Sequence, residues 1–299
     1  MREPVVTGDV QRWSAELVLD AGAELGEGPR WDGEAGELVW VDIMAGAIHR
    51  FDPATGLDRS LTVGQPVGAA NLRRSGGLVL ALRDGIALLD EQRPTELRWL
   101  AEIERDEPGT RMNDAACDPD GRLWAGTMDM EERSPVGALY RVEPTGAVET
   151  TLRAVTVSNG IGWSPDGRRL YYIDSPRARL EVFDFDPAAG GVCGRRTVVQ
   201  IAPSDGEPDG LTVDAEGCIW VALWGGWSIR RYHPDGSLAG VVDVPAGRVT
   251  SCAFGGPTLD TLYVTTARPD EPDPRQPFAG GIFAVRPGVT GLPTSRFAG

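Results

Sequence analysis

Short apolar stretches recur along the chain, each led by a turn of small and polar residues, glycine in most cases. They read GELVWVDI (36–43), GGLVLALRDG (76–85), GRLWAGTM (121–128), GRRLYYIDS (167–175), GCIWVALW (217–224) and DTLYVTTA (260–267). None shows a 3.6-residue apolar period, so the pattern predicts strands and not helices. The first aliphatic residue of each, Leu38, Leu78, Leu123, Leu170, Ile219 and Leu262, recurs at intervals of 40, 45, 47, 49 and 43 residues. A second strand is predicted after each, at 47–53, 86–91, 138–144, 180–187, 229–236 and 281–288. Five of these six end in clusters of Asp, Glu, Pro or Gly, as hairpin exits do. Six strand-rich units of 40 to 50 residues predict an all-β fold, a six-bladed β-propeller. On this reading residues 1–13 are a tail and 14–299 form one domain. The segment Glu16–Asp20 pairs into the last blade, closing the ring and leaving no open sheet edge. The Pro-rich acidic run Pro269–Pro277 falls between two strands of the last repeat and is expected to be an exposed loop.

The repeat makes positions comparable. Counting back 11 or 10 residues from each marker gives Glu27, Val67/Gly68, Met112/Asn113, Asn159/Gly160, Pro208/Asp209 and Ser251/Cys252. In a propeller the innermost strands run the same way along the axis, so equivalent positions ring one mouth of the central channel. Four of them, Glu27, Asn113, Asn159 and Asp209, carry side-chain oxygens, and Arg111 stands two residues before Asn113. An oxygen-rich ring with two carboxylates suits a hard divalent cation. Glu27 and Asp209 would neutralise its charge, and an amide oxygen and waters would complete the shell. A ring of buried acceptors would be costly without such a cation. Taken singly, each Asn-Gly or Glu-Gly is ordinary turn chemistry.

Composition narrows the field. The 299 residues are 41% apolar, with 39 Gly, 23 Pro and 9 Trp, which suits many short strands and tight turns. A net charge of −15 leaves no basic face for nucleic acid. The start of the chain lacks the apolar core of a secretion signal, and no apolar run is long enough to span a bilayer, so a cytoplasmic protein is expected, with no membrane partner. The four cysteines, Cys117, Cys193, Cys218 and Cys252, form no C-x-x-C pair and are expected to be reduced core residues. The two histidines, His49 and His233, lie in second strands or their exit turns, away from the ring, which excludes a histidine zinc site or a Ser-His-Asp triad. Asp32, Asp120, Asp166 and Glu216 belong to hairpin turns and are read as structural.

The strings LGEGPRWD, RMNDAACDPDGRLWAGTM, VSNGIGWSPDGRRLYYIDS, EPDGLTVDAEGCIWVALWGG and RVTSCAFGGPTLDTLYVTTA resemble the family of regucalcin (senescence marker protein), gluconolactonases and luciferin-regenerating enzyme. The resemblance runs over about residues 14 to 288 in one order and spacing. It implies a six-bladed propeller with one divalent metal in the channel, held by Glu27, Asn159 and Asp209. It also implies that Asn113 and Arg111 contact substrate, and that Glu131, in GTMDMEE, meets sugar hydroxyls. Calcium, zinc, manganese, magnesium and iron(II) all suit an oxygen shell. The expected activity is hydrolysis of a sugar lactone, such as a glucono- or pentonolactone, to the aldonic acid. Asp209 would be the general base, and the chain a monomer or weak homo-oligomer. An esterase or phosphotriesterase on the same site, and a calcium-binding regulatory protein without catalysis, are the competing readings.

Overall fold

The computed structural model describes residues 10–93 and 96–299, and these are almost wholly strand and turn. Each of the six marker stretches is a strand: Glu37–Asp42, Leu78–Leu82, Leu123–Asp129, Arg169–Asp174, Ile219–Trp224 and Thr261–Ala267. Their apolar residues are buried on both faces because neighbouring sheets pack against each side. Trp40, Trp124 and Trp220, one from each of three such strands, are completely buried.

Each of these strands pairs antiparallel with the one before it and the one after it. The first sheet runs Gly26–Asp32, Glu37–Asp42, Ala47–Asp52, Leu57–Thr62 in chain order. Three more four-stranded sheets follow the same plan, led by Val67–Leu72, Thr110–Cys117 and Ser158–Trp163. The remaining strands join in one nine-stranded sheet, whose two halves meet through a single pair, Trp224 with Arg248. One half is led by Glu207–Val213 and the other by Arg248–Gly255. The six leading strands pack each against the next, and the last packs against the first. The arrangement is that of a β-propeller-like fold, with the leading strands around a common axis.

The segment Glu16–Leu19 pairs antiparallel with Ile282–Val285, as the sequence pattern anticipated. The expected tail differs. Residues 1–9 lie outside the described residues, but Gln11–Ser14 is a strand, parallel to Leu238–Asp243. Trp13 explains it: its ring packs 5.7 Å from that of Trp220 and lies over Gly240, where a Cβ would meet the indole at 2.4 Å. The expected core role of the cysteines holds for Cys117, Cys218 and Cys252, whereas Cys193 is exposed on an edge strand, Gly191–Gln200. The Pro269–Pro277 run holds no strand and is largely exposed.

All six leading strands break register at the same place. The pairing skips between Glu27 and Arg30, Val67 and Ala69, Met112 and Ala115, Ser158 and Ile161, Pro208 and Leu211, and Val249 and Ser251. Such bulges bend the strand and re-aim side chains. Here they turn the ring positions towards the axis.

Candidate functional site

The bulges bring Glu27, Arg111, Asn113, Asn159 and Asp209 to the wall of one cavity of about 280 Å³. Each of Glu27, Asn113, Asn159 and Asp209 stands four residues before the residue that pairs with its marker, Trp31 with Leu38, Cys117 with Leu123, Trp163 with Leu170 and Val213 with Ile219. The distance to the marker alternates between 11 and 10 only because the intervening turn varies in length. By the same count the two other ring positions are Gly68, before Leu72, and Thr250, before Phe254. The expected Ser251/Cys252 is therefore one or two places late, since the last repeat has a longer turn. Thr250 is fully buried and spends its hydroxyl on the carbonyl of Gly26, 2.6 Å away, so it takes no part in the cavity wall.

Glycine follows three of the oxygen-bearing positions, and at two of them, Gly160 and Gly210, the reason is packing. A Cβ on Gly160 would lie 2.8 Å from Leu211 Cγ, and one on Gly210 would lie 2.2 Å from Ser251 Oγ. The leading strands thus approach closely enough to converge their preceding side chains. The Asn159-Gly160 and Asp209-Gly210 pairs sit inside strands and not in turns.

A chain of hydrogen bonds fixes both amides. Arg111 Nη1 donates to Asn113 Oδ1 at 2.8 Å and to the Met112 carbonyl at 2.9 Å. Asn113 Nδ2 in turn donates to Asn159 Oδ1 at 2.9 Å and to the Ser158 carbonyl at 2.9 Å. Asn159 Nδ2 donates to Ser175 Oγ at 2.8 Å, and that hydroxyl donates to the Pro208 carbonyl at 2.7 Å. Asn113 Oδ1 thus accepts from the Arg111 guanidinium and Asn159 Oδ1 only from a neutral amide, and each oxygen keeps a second lone pair.

The carboxylates are less satisfied. Glu27 and Asp209 are only 6% and 8% exposed. Glu27 Oε2 accepts the N–H of Gly28 at 2.7 Å, a contact that the positive φ of Gly28, +54°, permits. Asp209 accepts no hydrogen bond among the described residues, and neither carboxylate forms an ion pair there. Burial and the negative charge of Asp114 push the Glu27 carboxyl up to about 8, against the smaller opposing pull of Gly28, Arg30 and Arg111. Burial, then Glu27, Asp114, Glu132 and Glu207, push Asp209 well above the usual carboxylate range. Arg111 is lowered by burial and partly restored by Glu132, Glu27 and Asp209. Two carboxyls raised by burial, lining one cavity with an amide oxygen that has a lone pair to spare, fit a divalent cation that would replace their protons. Among the described residues no three His, Cys, Asp or Glu side chains cluster as a metal site, so the donor set depends on the amide.

Glu131 is placed elsewhere than the sequence suggested. It is exposed, faces Arg133 at 3.7 Å and does not line the cavity; the adjacent Glu132 does. The loop after Leu123–Asp129 explains the shift. Asp129 accepts the N–H groups of Glu131, Arg133 and Ser134 at 3.2, 3.0 and 2.7 Å, and Glu132 adopts a left-handed φ of 58°. Ser175 and the apolar wall of Ile43, Met128 and Trp224 were also missed. The signal for Ser175 was an Asp four residues after the marker in two repeats, Asp42 and Asp174. Each caps the loop entering its own leading strand: Asp42 accepts Glu24 and Leu25 N–H groups, and Asp174 those of Thr156 and Val157. His49 and His233 stay away from the cavity, against Asp58 and Cys218 respectively.

Residues 25–268 match the model of the SMP-30/Gluconolactonase/LRE-like region. The chain belongs to this family. Within it, regucalcin of Xenopus laevis is 37% identical over 294 residues, 95% of this chain and 98% of that protein. A Bacillus subtilis (strain 168) protein provisionally named sugar lactone lactonase YvrE is 38% identical over 289 residues, 95% of this chain and 99% of that protein. Among solved structures, a calcium-binding regucalcin from Agrobacterium tumefaciens superposes with a TM-score of 0.92 at 30% identity, covering 97% of this chain and 99% of that one. The family match spans all four leading strands that carry the oxygen ring and Arg111.

Proposed function

We propose that the chain is a metal-dependent hydrolase of sugar lactones, built as one six-bladed propeller that includes the strand from Gln11. The blade count is supported by the closed cycle of six leading strands, with the nine-stranded sheet read as two blades joined at Trp224 and Arg248. The activity is supported by family membership and by the relative named as a sugar lactone lactonase. The observation that carries the site is the pair of buried carboxyls, Glu27 and Asp209, both raised by burial and lining one cavity with an amide whose NH₂ is held by Ser175.

In this reading Glu27, Asn159 and Asp209 hold one divalent cation, among calcium, magnesium, manganese, zinc and iron(II). When bound, the cation supplies Lewis acidity to the lactone carbonyl and positive charge beside its oxygen. Asp209, with no donor on its carboxylate among the described residues, is the group free to take the proton from the attacking water. Among the described residues Arg111 has only Nη1 engaged, which leaves its other nitrogens to orient the lactone. Glu132, on the same wall, is placed to accept hydrogen bonds from sugar hydroxyls. The leaving alkoxide of a lactone stays tethered to the acyl group.

The test is a pH-indicator assay of five- and six-membered aldonolactones with metal-stripped protein and each cation added back. Turnover should require the cation, and Asp209→Ala should lower kcat by at least about 10²-fold, as loss of a general base does. Full activity in metal-stripped Asp209→Ala would sink the mechanism. Cation binding with no turnover above spontaneous hydrolysis would instead favour a calcium-binding regulatory role.

A further inference from the structure

Ser175 touches no part of the reaction geometry, yet its single hydroxyl joins two of the strands that carry the oxygen ring. It accepts from Asn159 Nδ2 at 2.8 Å and donates to the carbonyl of Pro208, the residue before Asp209, at 2.7 Å. The residue is 7% exposed and lines the cavity. Its position is fixed from behind. It opens a short 3-10 turn, Ser175–Arg177, after Asp174, which is 1% exposed and holds Thr156 N–H, Val157 N–H and Arg177 Nε with its carboxylate.

The polarity of that hydroxyl decides an ambiguity that an asparagine always carries. An amide has a donor end and an acceptor end of nearly the same shape, and only the acceptor end binds a cation. Pro208 offers only a carbonyl, so Ser175 must donate there and is left to accept from Asn159. The Asn159 amide then turns its NH₂ to Ser175, which leaves its Oδ1 at the opposite end, accepting from Asn113 Nδ2 at the wall of the cavity that Glu27 and Asp209 also line. From the other side Asn113 Nδ2 requires the same orientation, because Asn113 has given its own oxygen to Arg111. Arg111 and Pro208 are the two fixed ends of one directed chain, and Ser175 is its only link between the amides and the Asp209 strand.

We propose that Ser175 is a positioning residue for cation binding, which sets the orientation of the Asn159 amide and ties it to the strand of Asp209. This rests on the reading of Glu27, Asn159 and Asp209 as the cation site. Outer partners of metal ligands typically contribute about 10–100-fold to affinity, and Ser175 is expected at the lower end because Asn113 supports the same orientation.

The test measures cation affinity directly, by calorimetric titration of the metal-stripped chain with calcium and with manganese. Ser175→Ala should weaken binding about tenfold, and Ser175→Thr, which keeps the hydroxyl, should restore most of it. The decisive comparison repeats Ser175→Ala in an Asn159→Asp background. A carboxylate has no wrong end, so there the loss should shrink to less than about twofold. Thermal melting of each metal-stripped variant checks that the fold is intact. Wild-type affinity in Ser175→Ala would overturn the proposal, as would an equal loss in both backgrounds, which would mark Ser175 as a general support for the fold. If the wild-type chain binds neither cation, the site reading itself fails and this proposal with it. If the wild-type chain binds and Ser175→Ala makes no difference, only this proposal fails.

Discussion

Glu27 carries a measurable consequence even without the cation. Its carboxyl is held at about 8 in the folded chain, against an ordinary value of 4.5. A folded value above the unfolded one means the native state holds a proton that the unfolded state has lost. The stability this contributes is complete below 4.5 and is lost as pH rises to about 8. Metal-stripped protein should therefore unfold at progressively lower urea concentration across that interval, and Glu27→Gln should flatten the profile. A cation that displaces the proton reverses the trend, so affinity should rise with pH over the same range. A metal-stripped chain whose urea midpoint rises from pH 5 to pH 8 would contradict the burial of Glu27. The five cavity residues were legible because Glu, Asn and Asp recurred in one register of a repeat, with Arg111 beside them. Glu132 was not, because one residue in a left-handed conformation shifts which of two adjacent glutamates faces inwards. The orientation of an amide is likewise invisible in a sequence, since it depends on a hydroxyl from another strand.

Elements show the same division between pattern and contact. The second strand of each unit was legible because its core is apolar on both faces, as in LVLAL at Leu78–Leu82, and the third, such as AIHRFD at Ala47–Asp52, from its place between that strand and a turn cluster. The fourth strands, such as Leu57–Thr62 and Val148–Val155, are half exposed and mostly polar, and carry little apolar pattern. The turns were read from their Asp-Gly pairs, with Asp120 as the structural carboxylate, but Asp118 does most of the bonding. It is fully buried and accepts N–H groups from Asp120, Gly121 and Arg122 at 3.1, 2.9 and 2.9 Å, together with Arg122 Nε at 2.7 Å and Trp124 Nε1 at 3.1 Å. Asp214 repeats the arrangement with Cys218, Trp220 and Arg231. Asp118→Ala removes the buried partner of Arg122 Nε and leaves the Trp124 indole N–H unpaired, and should cost about 3–5 kcal/mol. Asp120→Ala removes one exposed partner of Arg122 and should cost less than about 1 kcal/mol. Chemical unfolding of the two variants separates them, and equal losses would show that the turn sequence, and not the buried carboxylate, organises the hairpin.

At the scale of the whole molecule both ends of the described chain act as fasteners. The amino-terminal pairing of Glu16–Leu19 was legible because ELVLD is a strand pattern lying before the first repeat. The carboxy-terminal segment was not, because its residues 290–299 form no strand and bind mainly through their backbone. They cross the face opposite the proposed cation site, where Leu292 to Ser295 line a second cavity of about 300 Å³ formed by the far ends of the leading strands. Thr294 Oγ1 donates to the Trp31 carbonyl at 2.8 Å, Phe297 N–H to the Leu72 carbonyl at 2.8 Å, and Ala298 N–H to the Gly121 carbonyl at 2.9 Å. One segment thereby ties the first three sheets together. Phe297 anchors it, completely buried among Val79, Leu88, Met112 and Leu123 between the second and third sheets. Phe297→Ala should cost about 3–5 kcal/mol through the lost burial and the cavity left behind. The two mouths are separated by the waist where the leading strands bulge and pack closely, so the damage should stay on its own side. Phe297→Ala is expected to lower the melting temperature while leaving cation affinity within about twofold of wild type, as for sites without shared partners. A fall in affinity as large as that of Ser175→Ala would mean that the ring transmits strain from one mouth to the other, and that the cation site depends on closure of the whole propeller and not on its own strand leads.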